Sequence, residues 1–361
     1  MRRIGVVGAG AAAAATAFAL RETDAEVTVL EAAPSVGGRA GSRRHEGCVY
    51  DHGTNYLKAD DERVVELVTE TLSTEGLVEV DGPVWTFDGG GSVSEGDGGT
   101  DRKWSYRDGL GELTRRLFDG SDATVETGVR VTGLVHDGGD GGDDGEEAGG
   151  RGRWRLVDET GTEWGPFDGC VLSPPAPETA ALLADAEWDA PARESLVEAC
   201  REVTYRPVLT AVLGYPFELQ RPFYALVNAD GAHELGWVAR EGCKPGHVPD
   251  GQSVLVVQTS REAVGDTDPP ETATNQGTDA AAETGRVAEL VAALLDEARL
   301  ADPAWTDHRW WDPALPDGGV EGRVRSAAAD AGLHVVGDWV VGEARLHAAV
   351  RSGLELGERL G

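Results

Sequence analysis

The first thirty residues constrain this chain more than any other segment. Residues 4–7, Ile-Gly-Val-Val, are a short apolar run that stops at Gly8-Ala9-Gly10-Ala11-Ala12-Ala13. Residues 11–20, Ala-Ala-Ala-Ala-Ala-Thr-Ala-Phe-Ala-Leu, form helix readily. Residues 26–30, Glu-Val-Thr-Val-Leu, read as a buried strand. Strand, glycine turn, helix and strand together make the unit that seats a dinucleotide. Gly8 permits the tight turn. Gly10 has no Cβ, so backbone can approach a pyrophosphate. Ala13 lets the helix pack close to the strand, and the phosphates meet free N–H groups at the positive end of the helix. Glu31, at the end of the second strand, offers a carboxylate to ribose hydroxyls.

Composition sets limits on partners. The 361 residues suffice for two compact domains. No run of 18 apolar residues occurs, so no membrane span is expected. Met1-Arg2-Arg3 followed by alanines imitates a signal peptide, but Gly8 and Gly10 interrupt the apolar stretch and the folded pattern continues. The expected start of the fold is the first strand, and the expected location the cytoplasm. Asp and Glu number 64 against 32 Lys and Arg, a formal net charge of −32. Such a field opposes nucleic acid and anionic lipid. The acids are scattered and only Lys58, Lys103 and Lys244 are lysine. That pattern reads as adaptation to a salty cytoplasm, where screening removes self-repulsion; a cationic partner is the alternative. Cys48, Cys170, Cys200 and Cys243 have no C-x-x-C spacing, so free thiols are expected, with neither a disulfide framework nor a metal site.

The remaining pattern predicts helices over 61–72, 108–118 and 286–299, a strand hairpin over 124–135 and 153–157, and a buried strand over 168–173. Segments 204–213, 222–228, 233–239, 253–259 and 307–311 are strand-length and carry no phosphate turn. They predict a separate, mainly antiparallel sheet. Segments 88–101, 137–152 and 264–285 are rich in Gly, Asp, Glu, Thr and Pro and read as solvated insertions, with a lid as the alternative for 264–285. The expected class is α/β. A discontinuous Rossmann-like domain takes 1–72, 104–173 and 318–361, and a smaller substrate domain with an antiparallel sheet and helices takes 73–103 and 174–317.

The glycine turn alone does not separate NAD from FAD. Pro34-Ser35-Val36-Gly37-Gly38-Arg39 follows Glu31 and adds close-approaching backbone at Gly38 and a fork of donors at Arg39. Residues 333–338, Leu-His-Val-Val-Gly-Asp, read as a strand ending at Gly337-Asp338, with a helix over 343–360 behind it. With Gly8–Glu31, these segments resemble the amine-oxidase-like flavoproteins. That resemblance implies FAD, with Asp338 on the flavin ribitol, the following helix aimed at the flavin pyrimidine, and Val131 giving backbone bonds to adenine; no Cys lies near the C-terminal motif, so the FAD is expected to be non-covalent. A helix N-terminus there would favour the negative charge of a reduced flavin.

Several further segments narrow the likeness. Asp51-His52-Gly53-Thr54-Asn55-Tyr56, Trp237-Val238-Ala239-Arg240-Glu241, Cys243-Lys244-Pro245-Gly246, His308-Arg309-Trp310-Trp311 and Gly337-Asp338-Trp339 resemble the bacterial renalase-like flavoproteins in order and spacing. The likeness covers most of the chain outside the three insertions and adds Gly53 to the cofactor-facing residues. It implies oxidation of misreduced dihydro-NAD(P) isomers, with hydride passing to FAD and O2 returning hydrogen peroxide. A dihydropyridine gives up hydride to form an aromatic cation, so it needs positioning more than a general base. Tyr56, Trp237 and Trp310 are the expected aromatic wall of a small-molecule pocket and His308 its polar group, although each is a residue type that ordinarily fills a core. Lys244 is either a pocket cation or a surface residue. His347, where that family pattern has an acid, and Arg351 depart from it and put the substrate in question. A flavin amine oxidase and a non-catalytic flavin-binding or redox-sensing protein are the competing readings.

Overall fold

Parallel pairing follows directly from the opening unit. The first strand, Arg2–Val7, lies beside the second, Ala25–Glu31, with Ile4 opposite Val27 and Val6 opposite Val29. The computed structural model describes residues 1–96, 102–138, 152–260 and 278–361, with only the backbone for 278–282. Five parallel strands form the first sheet in the order Thr124–Thr127, Ala25–Glu31, Arg2–Val7, Gly169–Leu172 and Leu333–Val335. These strands come from widely separated parts of the chain, so the Rossmann-like unit is discontinuous. Both faces of such a sheet are covered, which is why Ile4, Val6, Val29, Val171 and Leu333 are wholly buried.

The alanine run has a second purpose besides helix propensity. The first helix, Ala11–Ala19, packs along the last, Leu346–Leu360. A Cβ on Gly353 would stand 2.2 Å from the Ala12 carbonyl oxygen, and one on Gly357 would stand 2.5 Å from the Ala19 Cβ. Small residues on both helices therefore let the backbones touch, and the chain's end is clamped onto its beginning.

The second sheet is mixed and has seven strands. Their order is Trp305–Asp317, Thr204–Tyr215, Ser253–Thr259, Leu235–Arg240, Ala225–Asn228, Val84–Phe87 and Val93–Ser94. Only the Ala225–Asn228 and Val84–Phe87 pair runs parallel. The helix Thr278–Leu294 covers one face, where Val287, Ala288 and Val291 pack on Ala211, Val238, Leu255 and Val257. The other face looks toward residues 48–56: Cys48 and Tyr50 meet Val212, Val254 and Val256, and Tyr56 packs with Trp237 and Ala239.

Several boundaries differ from the sequence expectation. The predicted strand 124–135 is two strands in two sheets. Gly128, at φ +74°, turns the chain between Thr124–Thr127 and Val131–Asp137, and the latter pairs antiparallel with Arg153–Asp158. The helix expected over 61–72 is an α-helix Glu62–Glu66 capped by the Asp61 carboxylate, which accepts from the Arg63 and Val64 N–H groups, and it continues as a π-helical turn Leu67–Thr71. Residues 278–285 are helix rather than insertion, and that helix ends at Leu294, not 299. Residues 88–96 form a small hairpin through Val93–Ser94. The remaining insertion expectations, at 97–101, 139–151 and 264–277, lie outside the described residues. Three helices of eight or more residues had no expectation, Ala176–Ala184, Pro191–Glu202 and Gly322–Ala329. Their buried faces join Leu172, Leu333 and Trp339 in the core beside the parallel sheet. No helix among the described residues is long and apolar enough to cross a membrane.

Candidate functional site

The glycine turn has the shape that its sequence requires. Gly8 sits at φ +88°, a conformation that favours glycine, and its N–H donates to the Leu30 carbonyl at 2.8 Å. Gly10 precedes the first helix with no side-chain cap, and a Cβ built there meets nothing within 4 Å. The helix therefore opens onto free space with its first-turn N–H groups unprovided for by any cap. The second glycine loop closes over the first. Gly37 N–H donates to the Ala9 carbonyl at 3.0 Å, Gly10 and Gly37 form an isolated parallel bridge, and a Cβ on Gly38 would lie 3.8 Å from the Gly10 Cα. Glu31 ties these loops together: its carboxylate accepts from Ala9 N–H at 2.6 Å and from Ala33 N–H at 2.7 Å. Ala13 is fully buried in the core below. Val131, also buried, begins its strand just beyond Gly128 and Val129, which donate to the Ala33 and Glu31 carbonyls. The residues present thus fit a dinucleotide laid across Gly8–Gly10.

Arg39 and Asp338 are brought together. The guanidinium grips the carboxylate with two hydrogen bonds, of 2.7 and 3.0 Å, and also donates to the Ala314 carbonyl at 2.7 Å. Sequence reading gave the two residues separate partners; the fold pairs them, joining the second glycine loop to the end of the last parallel strand and to the edge of the second sheet. Gly337, at φ +147°, makes the turn into the short helix Asp338–Val341, and its N–H donates to Ser352 Oγ at 3.3 Å. Gly53 is fixed by contact: a Cβ there would stand 2.1 Å from the Arg39 carbonyl oxygen and 3.2 Å from the Trp311 ring. His347 and Arg351 both bind Glu343, at 2.8 and 3.1 Å, and Arg351 also reaches Asp61 at 3.1 Å. The last helix starts at Leu346, three residues later than expected, so Glu343 lies ahead of it.

The four residues expected in a pocket wall separate into two pairs. Tyr56 and Trp237 stand together with ring centroids 6.0 Å apart, and Tyr224 completes a group of three at 6.0 and 6.1 Å from them. His308 and Trp310 are elsewhere. In register, His308 lies opposite Ala211, which packs under the helix Thr278–Leu294, and Trp310 lies opposite Leu209 on that same face. Their neighbours Arg309 and Trp311 point the other way, toward Tyr56 and Trp237. Trp311 Nε1 donates to the His52 carbonyl at 3.0 Å. Gln258, opposite Trp237 on the adjoining strand, donates to the Gly53 carbonyl at 2.8 Å. The face toward Gly53 thus carries Arg309, Thr210, Gln258 and Trp237 in one row across four strands. Tyr224, which sequence reading passed over, is wholly buried behind them; its position at the mouth of a strand gave no periodic signal.

Lys244 is neither a pocket cation nor a surface residue. It is fully buried, with Nζ 2.7 Å from Asp51 Oδ2 and 2.8 Å from Glu241 Oε1. His247 Nδ1 meets the second Glu241 oxygen at 2.7 Å, and its Nε2 meets the Tyr106 carbonyl at 2.8 Å. Asp51, Glu241 and His247 have ligand atoms within 4.8 Å of one another, spacing that suits a metal ion. The Lys244 ammonium already bridges the two carboxylates there. One cleft of about 210 Å³ lies beside Leu219, Arg240, Gly242, Val248 and Gln252, on the flank of this cluster, and another of about 390 Å³ lies beside Phe18, Leu72 and Arg116.

His52, beside Trp311 at a ring separation of 5.4 Å, is nearly buried and its Nδ1 has no partner among the described residues. Burial, and then the charge of Arg43, pushes its pKa down to about 4. The ring should stay neutral where an exposed histidine titrates, so its NMR signals should not move between about pH 5.5 and 8. Because the folded value is depressed, the unfolded chain binds more protons between the two values. His52 therefore withdraws stability as pH falls from about 6.5 toward 4. A His52 resonance titrating near neutrality would contradict this placement.

Comparison with known proteins agrees with the fold. Residues 6–71 match the family described as an NAD(P)-binding Rossmann-like domain. A protein from Exiguobacterium sp. 255-15, provisionally named a protoporphyrinogen oxidase, superposes with a TM-score of 0.72 at 15% identity, covering 100% of this chain and 98% of that one. A putrescine oxidase bound to putrescine superposes at 0.70 and 13% identity, covering 99% and 98%. A fatty acid isomerase from P. acnes that produces CLA superposes at 0.63 and 12% identity, covering 99% and 98%. At such identities the likeness establishes a shared fold.

Proposed function

We propose that this chain is an FAD-dependent oxidoreductase that takes hydride from a small reduced substrate, a misreduced dihydro-NAD(P) isomer being the best fit, and that dioxygen is the terminal acceptor. The observation that carries the reading is the Arg39–Asp338 pair. It sets the second glycine loop against the C-terminal strand and helix, which a cofactor ending at the glycine turn would not need. The similarity in fold to a putrescine oxidase supports oxidase chemistry as well.

Bound FAD supplies a two-electron acceptor for hydride. The chain's own residues supply position. Gly8, Gly10 and the first helix would hold the pyrophosphate, Glu31 and Val131 the adenosine, and Gly38, Arg39 and Asp338 the span toward the flavin. Tyr56 and Trp237, backed by the buried Tyr224, would form an aromatic wall that orients a flat ring and keeps water from it. In sum, a dihydropyridine, O2 and one proton give a pyridinium and hydrogen peroxide. No residue has to remove a proton from such a substrate, because loss of hydride alone makes the ring aromatic. Anaerobic mixing with dihydronicotinamide isomers and, separately, with putrescine tests this. The flavin should bleach with an isomer of the dihydronicotinamide and stay oxidised with the diamine. Bleaching by putrescine alone would make the chain an amine oxidase. Slow reduction by every donor would point to a binding or sensing protein.

A further inference from the structure

The sheet face toward Gly53 is rich in hydrogen-bond donors that the protein does not use. Arg309 is half-buried, with its Cζ 4.8 Å from the centre of the Trp311 ring. It makes no ion pair or hydrogen bond among the described residues, and its Nε is buried without a partner. This is unusual in a chain with 64 acidic residues, where most arginines of this fold lie against a carboxylate. Thr210, its direct neighbour across the strands, is wholly buried and its Oγ1 also lacks a partner. Trp237 Nε1, further along the same row, is buried and unpartnered too.

Among the described residues, the acids beside this face are already engaged. The nearest acid on this strand, Asp307, is fully engaged. It accepts from Arg43 at 2.9 and 3.0 Å, from the Tyr50 hydroxyl at 2.8 Å and from the His308 N–H at 2.8 Å. Asp51 and Glu241 are taken by Lys244 and His247. Burial, and then the nearby Arg43 charge, works against the Arg309 cation. An unpaired guanidinium in such a place is stabilised by whatever anion reaches it, and its planar fork matches a carboxylate or a phosphate.

We infer that Arg309, with Thr210 beside it, is the residue that selects an oxyanion-bearing substrate, pairing with a carboxylate or phosphate of the molecule whose hydride-donating ring lies against Tyr56 and Trp237. The identification of that anion as part of the substrate rests on the flavin reading above. The same face repels a diamine, whose ammonium groups would find Arg309 and no free carboxylate.

The test is calorimetric titration of the full FAD-loaded chain with ADP, with succinate and with putrescine, at fixed ionic strength. R309M, R309K and T210V are run beside the wild type, with melting temperature as the control for folding. ADP or succinate should bind the wild type at least tenfold more tightly than R309M, with R309K between them and T210V weakened several-fold; the stronger of the two anions names phosphate or carboxylate as the recognised group. Putrescine should give no heat. Anion affinity that is undiminished in R309M, or a wild type that binds neither anion, overturns the inference, as does putrescine binding to the wild type. Should R309M fail to fold, T210V decides, and an unchanged anion affinity there overturns it as well. A chain that takes up no FAD but binds the anions through Arg309 would remove the flavin reading and leave Arg309 as an anion site.

Discussion

Replacing Gly10 with valine should abolish flavin binding and leave the fold in place. A Cβ at Gly10 meets no protein atom within 4 Å, and its φ of −79° suits any residue. The valine would instead fill the space where a pyrophosphate must approach the helix N–H groups. The expected loss of FAD affinity is at least about 100-fold, or roughly 2.7 kcal/mol. The stability of the cofactor-free chain should change by no more than about 1 kcal/mol, the usual scale of a change at a helix N-cap. Equilibrium dialysis against FAD and a urea melt of the apoprotein measure the two quantities. Gly53 gives the contrasting case. A Cβ there would collide with the Arg39 carbonyl, so G53A should lower stability and cofactor binding together. If G10V retained FAD at wild-type affinity, the cofactor would not lie across the first turn.

The second large effect is expected at Lys244. K244M would leave Asp51 and Glu241 buried as negative charges with only His247 and the neutral donors of Ser42, Ser105 and the Leu110 N–H to answer them. Breaking a buried ion pair in this way costs about 3–5 kcal/mol, a large part of the 5–15 kcal/mol that holds a typical domain together. The variant should unfold at a much lower urea concentration or fail to accumulate. The wild-type network also sets a pH window. Burial opposes the charge on Asp51, but Lys244 and His247 outweigh it and hold its pKa below the ordinary value. Its contribution is present above the unfolded carboxylate pKa and is lost as pH falls through the folded one. Burial opposes the Lys244 charge too, and Asp51 and Glu241 outweigh it, raising its pKa. That contribution is present below the unfolded lysine pKa and is lost as pH rises through the folded one. The network's own contribution, read as the difference between wild type and K244M in urea melts, should therefore be flat between these limits and fall at both, with the His52 loss below about pH 6.5 common to the two proteins. K244M with wild-type stability would show that the cluster carries no charge.

Much of the first sheet was legible because its elements are local. The turn at Gly8, the helix after it and the strand to Glu31 are adjacent in the chain, and each has a distinct residue signature. The pairing of Arg39 with Asp338, nearly three hundred residues apart, has no such signature, since either residue alone suits a ligand. Lys244 was similarly opaque: nothing near it in sequence announces Asp51. His308 and Trp310 illustrate a different limit. The segment His308-Arg309-Trp310-Trp311 was correctly read as a strand, but alternation puts every second residue on each face. Choosing the face requires the register against Thr204–Tyr215, and one residue of slip exchanges the set. The strand break at Gly128 was hidden for a simpler reason: β-favouring residues lie on both sides of it. The helix at 278–285 was missed because its Thr, Asp and Gly content resembles a solvated loop.

The central claim is that the glycine turn, Arg39 and the C-terminal Gly337–Asp338 segment hold one FAD. The most direct measurement is the visible spectrum of the purified chain after incubation with FAD and removal of unbound cofactor on a desalting column. Stoichiometric flavin bands that stay with the protein, and that NAD+ in excess does not displace, are the predicted result. A colourless protein that retains NAD+ instead would contradict the account.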